Sequence, residues 1–281
     1  MVSYATPSQP RQLRIELTNA CNAHCSVCHR LTMTRPVGYM SISLVQKVLE
    51  DAKQFPLPLQ EVVGSNYGET FLHPQWHEIL RLISEKLPNT ALVCPTNGTL
   101  LNNGTVQKLA TIPNLKLVNL SVNAFLPETY EAFHKLPARN LKVIERAAIM
   151  LKRLRPDLVL WISMARDSQL QSPKEVELFY EYWSRFGTVQ INQAEFNNRP
   201  DRTPPFPVKL PCRSIFSDMA VNWDGRVTTC CYDADCQLVV GDASNDNLLG
   251  IWHSDVFTNL RSLHNSGRRG EIALCANCTF S

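Results

Sequence analysis

The sequence predicts an α/β protein in which parallel strands alternate with covering helices, followed by a smaller cysteine-rich unit. Two observations predict the first part. Short apolar runs of strand length recur between residues 13 and 192, and most are followed by a longer segment whose apolar residues have helical spacing. Strands separated by helix-length crossovers lie parallel, with the helices outside. The third observation is a break. Pro200, Pro204, Pro205, Pro207 and Pro211 crowd one segment, disfavouring helix and sheet alike, and six of the ten cysteines follow residue 211. Residues 1–200 are therefore expected to form the core domain and residues 201–281 a small second domain.

In chain order, residues 13–18 read as the first strand. Residues 42–55 place Leu44, Val45, Val48 and Leu49 at helical spacing, with Ser43 as the expected N-cap. Strands follow at 59–63, 91–94, 115–122, 158–163 and 189–192, separated by helices at 75–86, 104–110, 141–154 and 174–186. Beyond the prolines, residues 219–223 and 226–230 flank Asp224-Gly225, a two-residue hairpin signal, and a helix is expected over 248–263. In a parallel α/β array the functional loops lie at the C-terminal ends of the strands.

The totals exclude several classes. A chain of 281 residues with 44% hydrophobic content can bury a real core, so fibrous and disordered classes do not fit. The net charge of +3 is spread along the chain, giving no nucleic-acid footprint, and Arg268 and Arg269 read as a solvated patch. There is no membrane-length apolar run and no basic region followed by an apolar core at the N-terminus. A cytoplasmic protein with no membrane partner is the expectation. Grouped cysteines in a reducing compartment bind metal or react more often than they form disulfides.

The first group, Cys21, Cys25 and Cys28, has the pattern C-x3-C-x2-C directly after the first strand. A cubane 4Fe-4S cluster normally takes four cysteines, so a loop with three leaves one iron open. Zinc is the alternative, with His24 or His29 completing the site. In spacing and position the loop resembles the cluster loop of the radical S-adenosylmethionine (AdoMet) enzymes, also written radical SAM. That resemblance implies a partial (β/α)6 TIM-like barrel in which the open iron chelates the amino and carboxylate groups of AdoMet. It also assigns cofactor-binding roles. Gly68 and Glu69 of the YGET segment stand where the family carries GGE, Asn97 lies in a TNG turn, and Ser121 and Asn123 follow the fourth strand. Arg166 and Glu195 end the fifth and sixth strands, where each either reaches the barrel mouth or is a solvated loop charge. His73 reads as a residue that starts a helix. Val27 departs from the aromatic residue frequent before the third cysteine.

The second group begins at Cys212, followed after twelve residues by Gly225 and after four more by Cys230, with Cys275 and Cys278 closing the chain. This resembles the SPASM extension of radical SAM enzymes in its shortened form, twitch, of the deoxy-scyllo-inosamine dehydrogenase type. By that likeness Cys212, Cys230, Cys275 and Cys278 ligate an auxiliary 4Fe-4S cluster; a zinc ribbon would also use four thiolates. Cys231 follows Cys230 on an expected strand and so points to the other face. It is either a small buried residue or a hydrogen-atom donor of the kind radical epimerases use, with Cys236 and Cys94 as further candidates. The implied function is oxidation or epimerisation of a small polar metabolite such as a sugar, aminocyclitol or antibiotic intermediate, served by a flavodoxin- or ferredoxin-type electron donor. Maturation of a ribosomally made peptide is the alternative. A non-catalytic zinc or electron-transfer protein leaves the GET and TNG loops unexplained.

Overall fold

Strand β1 (Gln12–Ile15) stands between the two parts of a single sheet that has nine strands among the described residues. On one side β2 (Glu61–Val63), β3 (Ala91–Thr96), β4 (Leu115–Ser121), β5 (Val159–Arg166) and β6 (Thr188–Gln193) follow in chain order, all parallel. Their crossovers carry α1 (Ile42–Ala52), α2 (Trp76–Lys86), α3 (Asn103–Ala110), α4 (Pro127–His134) and α5 (Asn140–Leu154), and α6 (Pro173–Trp183) precedes β6. The result is a partial barrel with helices outside. On the other side β7 (Asp218–Val221) pairs parallel to β1 and continues into antiparallel β8 (Arg226–Thr228) and β9 (Gly241–Asp242). This computed structural model describes residues 3–193, 210–276 and 278. Four of the five prolines at the expected domain break lie outside the described residues.

Strand pleat sorts the side chains. Leu13, Ile15, Val62, Leu92, Val118, Leu120, Leu160 and Ile162 are buried in one cluster beneath the helices. Arg14, Val93, Asn119 and Ser163 alternate with them on the inner face and are half-buried. Cys94 falls in the helix-covered core at 0% exposure, which removes it as a cavity thiol.

Several local expectations change. Helix α1 is capped by Ser41, which accepts from Leu44 N at 3.2 Å, so Ser43 lies inside the first turn. Helix α4 was not expected; its signal is Pro127 at the first helical position with Glu128 in the first turn. The β7–β8 loop is longer than a two-residue turn. Gly225 N donates to Asn222 O and Asn222 N to Arg226 O, both at 2.9 Å, and Gly225 takes φ +93°, a left-handed position that favours glycine. The helix expected over 248–263 divides into a short one at Leu248–Trp252 and a longer one at Asp255–Asn265, because Ser254 caps the second by accepting from Phe257 N. Arg269 is not solvated: it is buried and donates to Leu210 O at 2.6 Å, while Arg268 forms an exposed pair with Glu271. His73 does staple the chain, bonding Met40 O at 3.0 Å and accepting from Gln75 N at 3.0 Å.

Candidate active site

The first cysteine loop leaves the C-terminal end of β1 and is fastened to the end of α4. His24 N donates to His134 O and Ser26 N to Phe133 O, each at 2.9 Å, while Val27 packs against Phe133. Cys28 N turns back onto Cys25 O at 3.0 Å. These bonds bring Cys21, Cys25 and Cys28 to the wall of one cavity of about 390 Å³. Burial pushes all three thiols up, and Cys25 rises further because Cys28 and Cys21 are close. Thiolates in such a place need a positive group, which is how a donor set accepts a metal cluster. Among the described residues no three His, Cys, Asp or Glu side chains converge on a single metal ion, whereas a cubane carries its ligands on separate iron corners.

His134 is a site residue that sequence reasoning missed, because α4 itself was missed. Its Nδ1 lies 3.2 Å from Cys25 Sγ, its Nε2 lies 3.0 Å from Val122 O, and burial pulls it down to about 4. The imidazole is therefore neutral at ordinary pH.

The segments after β2 and β3 are locked to this loop and to each other. Gly68 has φ +81°, and a Cβ there would meet Ala20 O at 2.7 Å, so only glycine lets the two backbones touch. Glu69 N donates to Ala20 O at 2.7 Å. The Glu69 carboxylate is buried and accepts from Thr96 Oγ1 and Asn97 N, each at 2.8 Å. Asn97 in turn donates to Asn22 Oδ1 at 2.8 Å and lies 3.9 Å from Cys21 Sγ. Gly68, Glu69, Asn97 and Ser121 all line the cavity.

Burial holds Glu69 up at about 7. From the ordinary carboxylate range to that value the folded protein keeps a proton that the unfolded chain has released. Stability therefore falls as pH rises through this window and stays lower above it. Anaerobic chemical unfolding at about pH 5 and pH 8 should show wild type losing about 3 kcal/mol more than Glu69→Gln across the interval. Parallel losses in the two proteins would refute it.

Two expected site residues lie away from the cavity wall, and a third is not among the described residues. Asn123 takes φ 61° and faces inward to the fold, accepting from Ala165 N at 2.7 Å and lying 3.3 Å from His134 Nε2; it braces β5 and α4 and is not in the cavity wall. Arg166 lies at the β5–β6 edge, 3.5 Å from Gln193 Oε1, and is not in that wall either. Glu195 lies outside the described residues.

In the C-terminal part, Cys212 and Cys275 stand close enough to Cys230 to add to the upward push of its burial. Cys212 N is held by His264 Nδ1 at 3.1 Å, and Cys278 N donates to Cys275 O at 3.3 Å. Cys231 also stands near Cys212, and it lines the cavity of Cys21, Cys25 and Cys28, whereas Cys230 does not. The strand pleat is not the reason, because β8 ends at Thr228 and Cys231 begins a turn. Tyr67 OH donates to Cys231 O at 2.6 Å and fixes that turn. Cys236 is buried outside the cavity wall.

A family model described as the radical SAM superfamily matches residues 15–164, more than half of the chain. The chain belongs to that superfamily. A second model, the SPASM iron-sulfur cluster-binding domain, matches residues 212–279. The radical SAM part carries a 4Fe-4S cluster and AdoMet as cofactors, and the SPASM part auxiliary iron-sulfur chemistry. The radical SAM protein is 21% identical over 269 residues to the S-adenosyl-L-methionine-dependent 2-deoxy-scyllo-inosamine dehydrogenase of Niallia circulans, covering 95% of this chain and 91% of that one. It superposes on BtrN in complex with AdoMet and 2-DOIA with a TM-score of 0.69 at 19% identity, covering 99% and 94% of the two chains. Streptococcus suis SuiB bound to precursor peptide SuiA gives a TM-score of 0.72 at 14% identity, covering 92% of this chain and 68% of SuiB. Other relatives are matched over only a part. The alignment spans 28% of the tungsten-containing aldehyde ferredoxin oxidoreductase cofactor-modifying protein of Pyrococcus furiosus and 27% of the subtilosin biosynthesis protein AlbA of Bacillus subtilis. Among the described residues no helix is long and apolar enough to cross a membrane.

Proposed function

We propose that this radical SAM protein epimerises a small polar metabolite, a sugar, aminocyclitol or antibiotic intermediate, with Cys231 returning the hydrogen atom. In this reading Cys21, Cys25 and Cys28 hold the AdoMet-cleaving cluster, and Cys212, Cys230, Cys275 and Cys278 hold the auxiliary one. Gly68, Glu69, Asn97 and Ser121 border the AdoMet side of the cavity. When bound and reduced, the first cluster supplies the 5'-deoxyadenosyl radical from AdoMet. Such a radical would be able to take a hydrogen atom from a substrate C–H bond held in the cavity. The Cys231 S–H bond then breaks to give a hydrogen atom to the other face of the substrate carbon. The thiyl left behind regains a thiol by taking an electron from a flavodoxin- or ferredoxin-type donor and a proton from solvent.

The observation that carries this reading is Cys231, an exposed residue in the wall shared with the first cysteine group. Dehydrogenation is the second reading, favoured by the near full-length likeness to the Niallia circulans dehydrogenase. The test is turnover of an aminocyclitol and aminosugar panel by reduced holoprotein in heavy water. Epimerisation gives an isomer carrying a single solvent deuterium on carbon, because the thiol exchanges with solvent; a product lacking a pair of hydrogens instead establishes dehydrogenation. Turnover of a ribosomal peptide with none of the panel would overturn both.

A further inference from the structure

One buried ion pair joins the segments around Cys231. Arg35, 7% exposed, lies just past the first cysteine loop and forks onto Glu16 beyond β1, Nη1 to Oε2 at 2.7 Å and Nη2 to Oε1 at 2.5 Å. Its Nε donates to Ala234 O at 2.5 Å. Glu16 also accepts from Tyr67 N at 3.3 Å and from Trp223 N at 3.2 Å. From the other side Asp235 Oδ1 accepts from Thr34 N at 2.6 Å and Arg35 N at 3.0 Å. Tyr67, itself bonded to Glu16, closes the circuit through its hydroxyl on Cys231 O.

A buried ion pair is a weak source of net stability, since desolvation offsets attraction, and its best-attested use is to select one arrangement. A planar guanidinium fork adds direction to that choice. Here the choice matters because residues 229–240 lie in no strand, so sheet pairing does not set where Cys231 points. We infer that Glu16, Arg35 and Asp235 are positioning residues that hold Cys231 against the cavity of the first cysteine loop. This deepens the function proposed above and rests on it.

The test is alkylation of Cys231 by iodoacetamide in anaerobic holoprotein, with and without AdoMet, read by mass spectrometry of its peptide. In wild type AdoMet is expected to slow the reaction about tenfold, since Cys231 lines the cavity proposed to take AdoMet. In Arg35→Met and in Asp235→Ala the protection is expected to fall to about twofold or less, at unchanged iron content. Asp235→Asn keeps an acceptor oxygen and should restore it, an outcome that general destabilisation does not produce. Should Arg35→Met fail to hold iron, the half-buried Asp235 variants decide. Absence of protection in wild type removes Cys231 from the cavity and overturns the proposed function with it. Protection that persists in the variants overturns the positioning role alone.

Discussion

Cys25→Ala is expected to abolish AdoMet cleavage, lowering 5'-deoxyadenosine formation roughly a thousandfold or more, since even loss of an outer-shell partner of a metal site costs ten- to a hundredfold. The reason is the donor count. Cys21, Cys25 and Cys28 are the thiols the loop brings to the cavity, and a cubane already short of one cysteine has no spare ligand. Cys25 is also the thiol most crowded by its two neighbours and the one beside His134. The measurement is deoxyadenosine produced by anaerobically reconstituted, reduced protein, together with iron content. Wild type should hold about eight irons and the Cys21/Cys25/Cys28 triple alanine variant about four, if both cysteine groups carry 4Fe-4S clusters. Deoxyadenosine at the wild-type rate from Cys25→Ala would remove the loop from the reaction. Loss of all iron, or zinc in its place, in the triple variant would remove the auxiliary cluster.

Cys231→Ala should separate the two halves of turnover. AdoMet cleavage in the presence of substrate should persist within a few-fold of wild type, while epimer formation falls roughly a hundredfold or more, because only the hydrogen-returning step is lost. Cys231→Ser should fall as far despite its similar size, since an O–H bond is too strong to give a hydrogen atom to a carbon radical. The serine variant therefore separates chemistry from packing. Both variants should fold, because Cys231 is an exposed residue in a turn outside the strands. Unchanged epimer formation would return Cys231 to a structural role and assign the hydrogen return to another group.

Much of the fold was legible because strand and helix periodicities are local. The alternating segments between residues 13 and 192 become β1 to β6 with α1, α2, α3, α5 and α6 between them. Helix α4 escaped because its eight residues carry few large apolar side chains, Tyr130 and Phe133 among them, too few to mark a helical period. The break at Ser254 escaped because a capping serine inside an apolar repeat resembles any other helical residue until its side chain is seen to accept from Phe257 N. The YGET and TNG segments were legible as strand-end loops, but the bonds that tie them together were not. Glu69 spends its carboxylate on Thr96 and Asn97, joining two loops, and Asn123 braces β5 from a left-handed backbone.

By itself the sequence determined what chain connectivity governs: the alternation that makes the sheet parallel, and the spacing that keeps Cys21, Cys25 and Cys28 within one loop. The tertiary structure decided which residue of an adjacent pair reaches the cavity. Cys230 and Cys231 are covalent neighbours and both stand near Cys212, yet Cys231 lines the cavity of the first cysteine loop and Cys230 does not. That division depends on where β8 stops, on β7 pairing with β1, and on a buried ion pair between Glu16 and Arg35 that reaches across to Ala234. Each is a contact between segments far apart in the chain, and their direction is set by packing and desolvation in the folded state, where no local pattern records it.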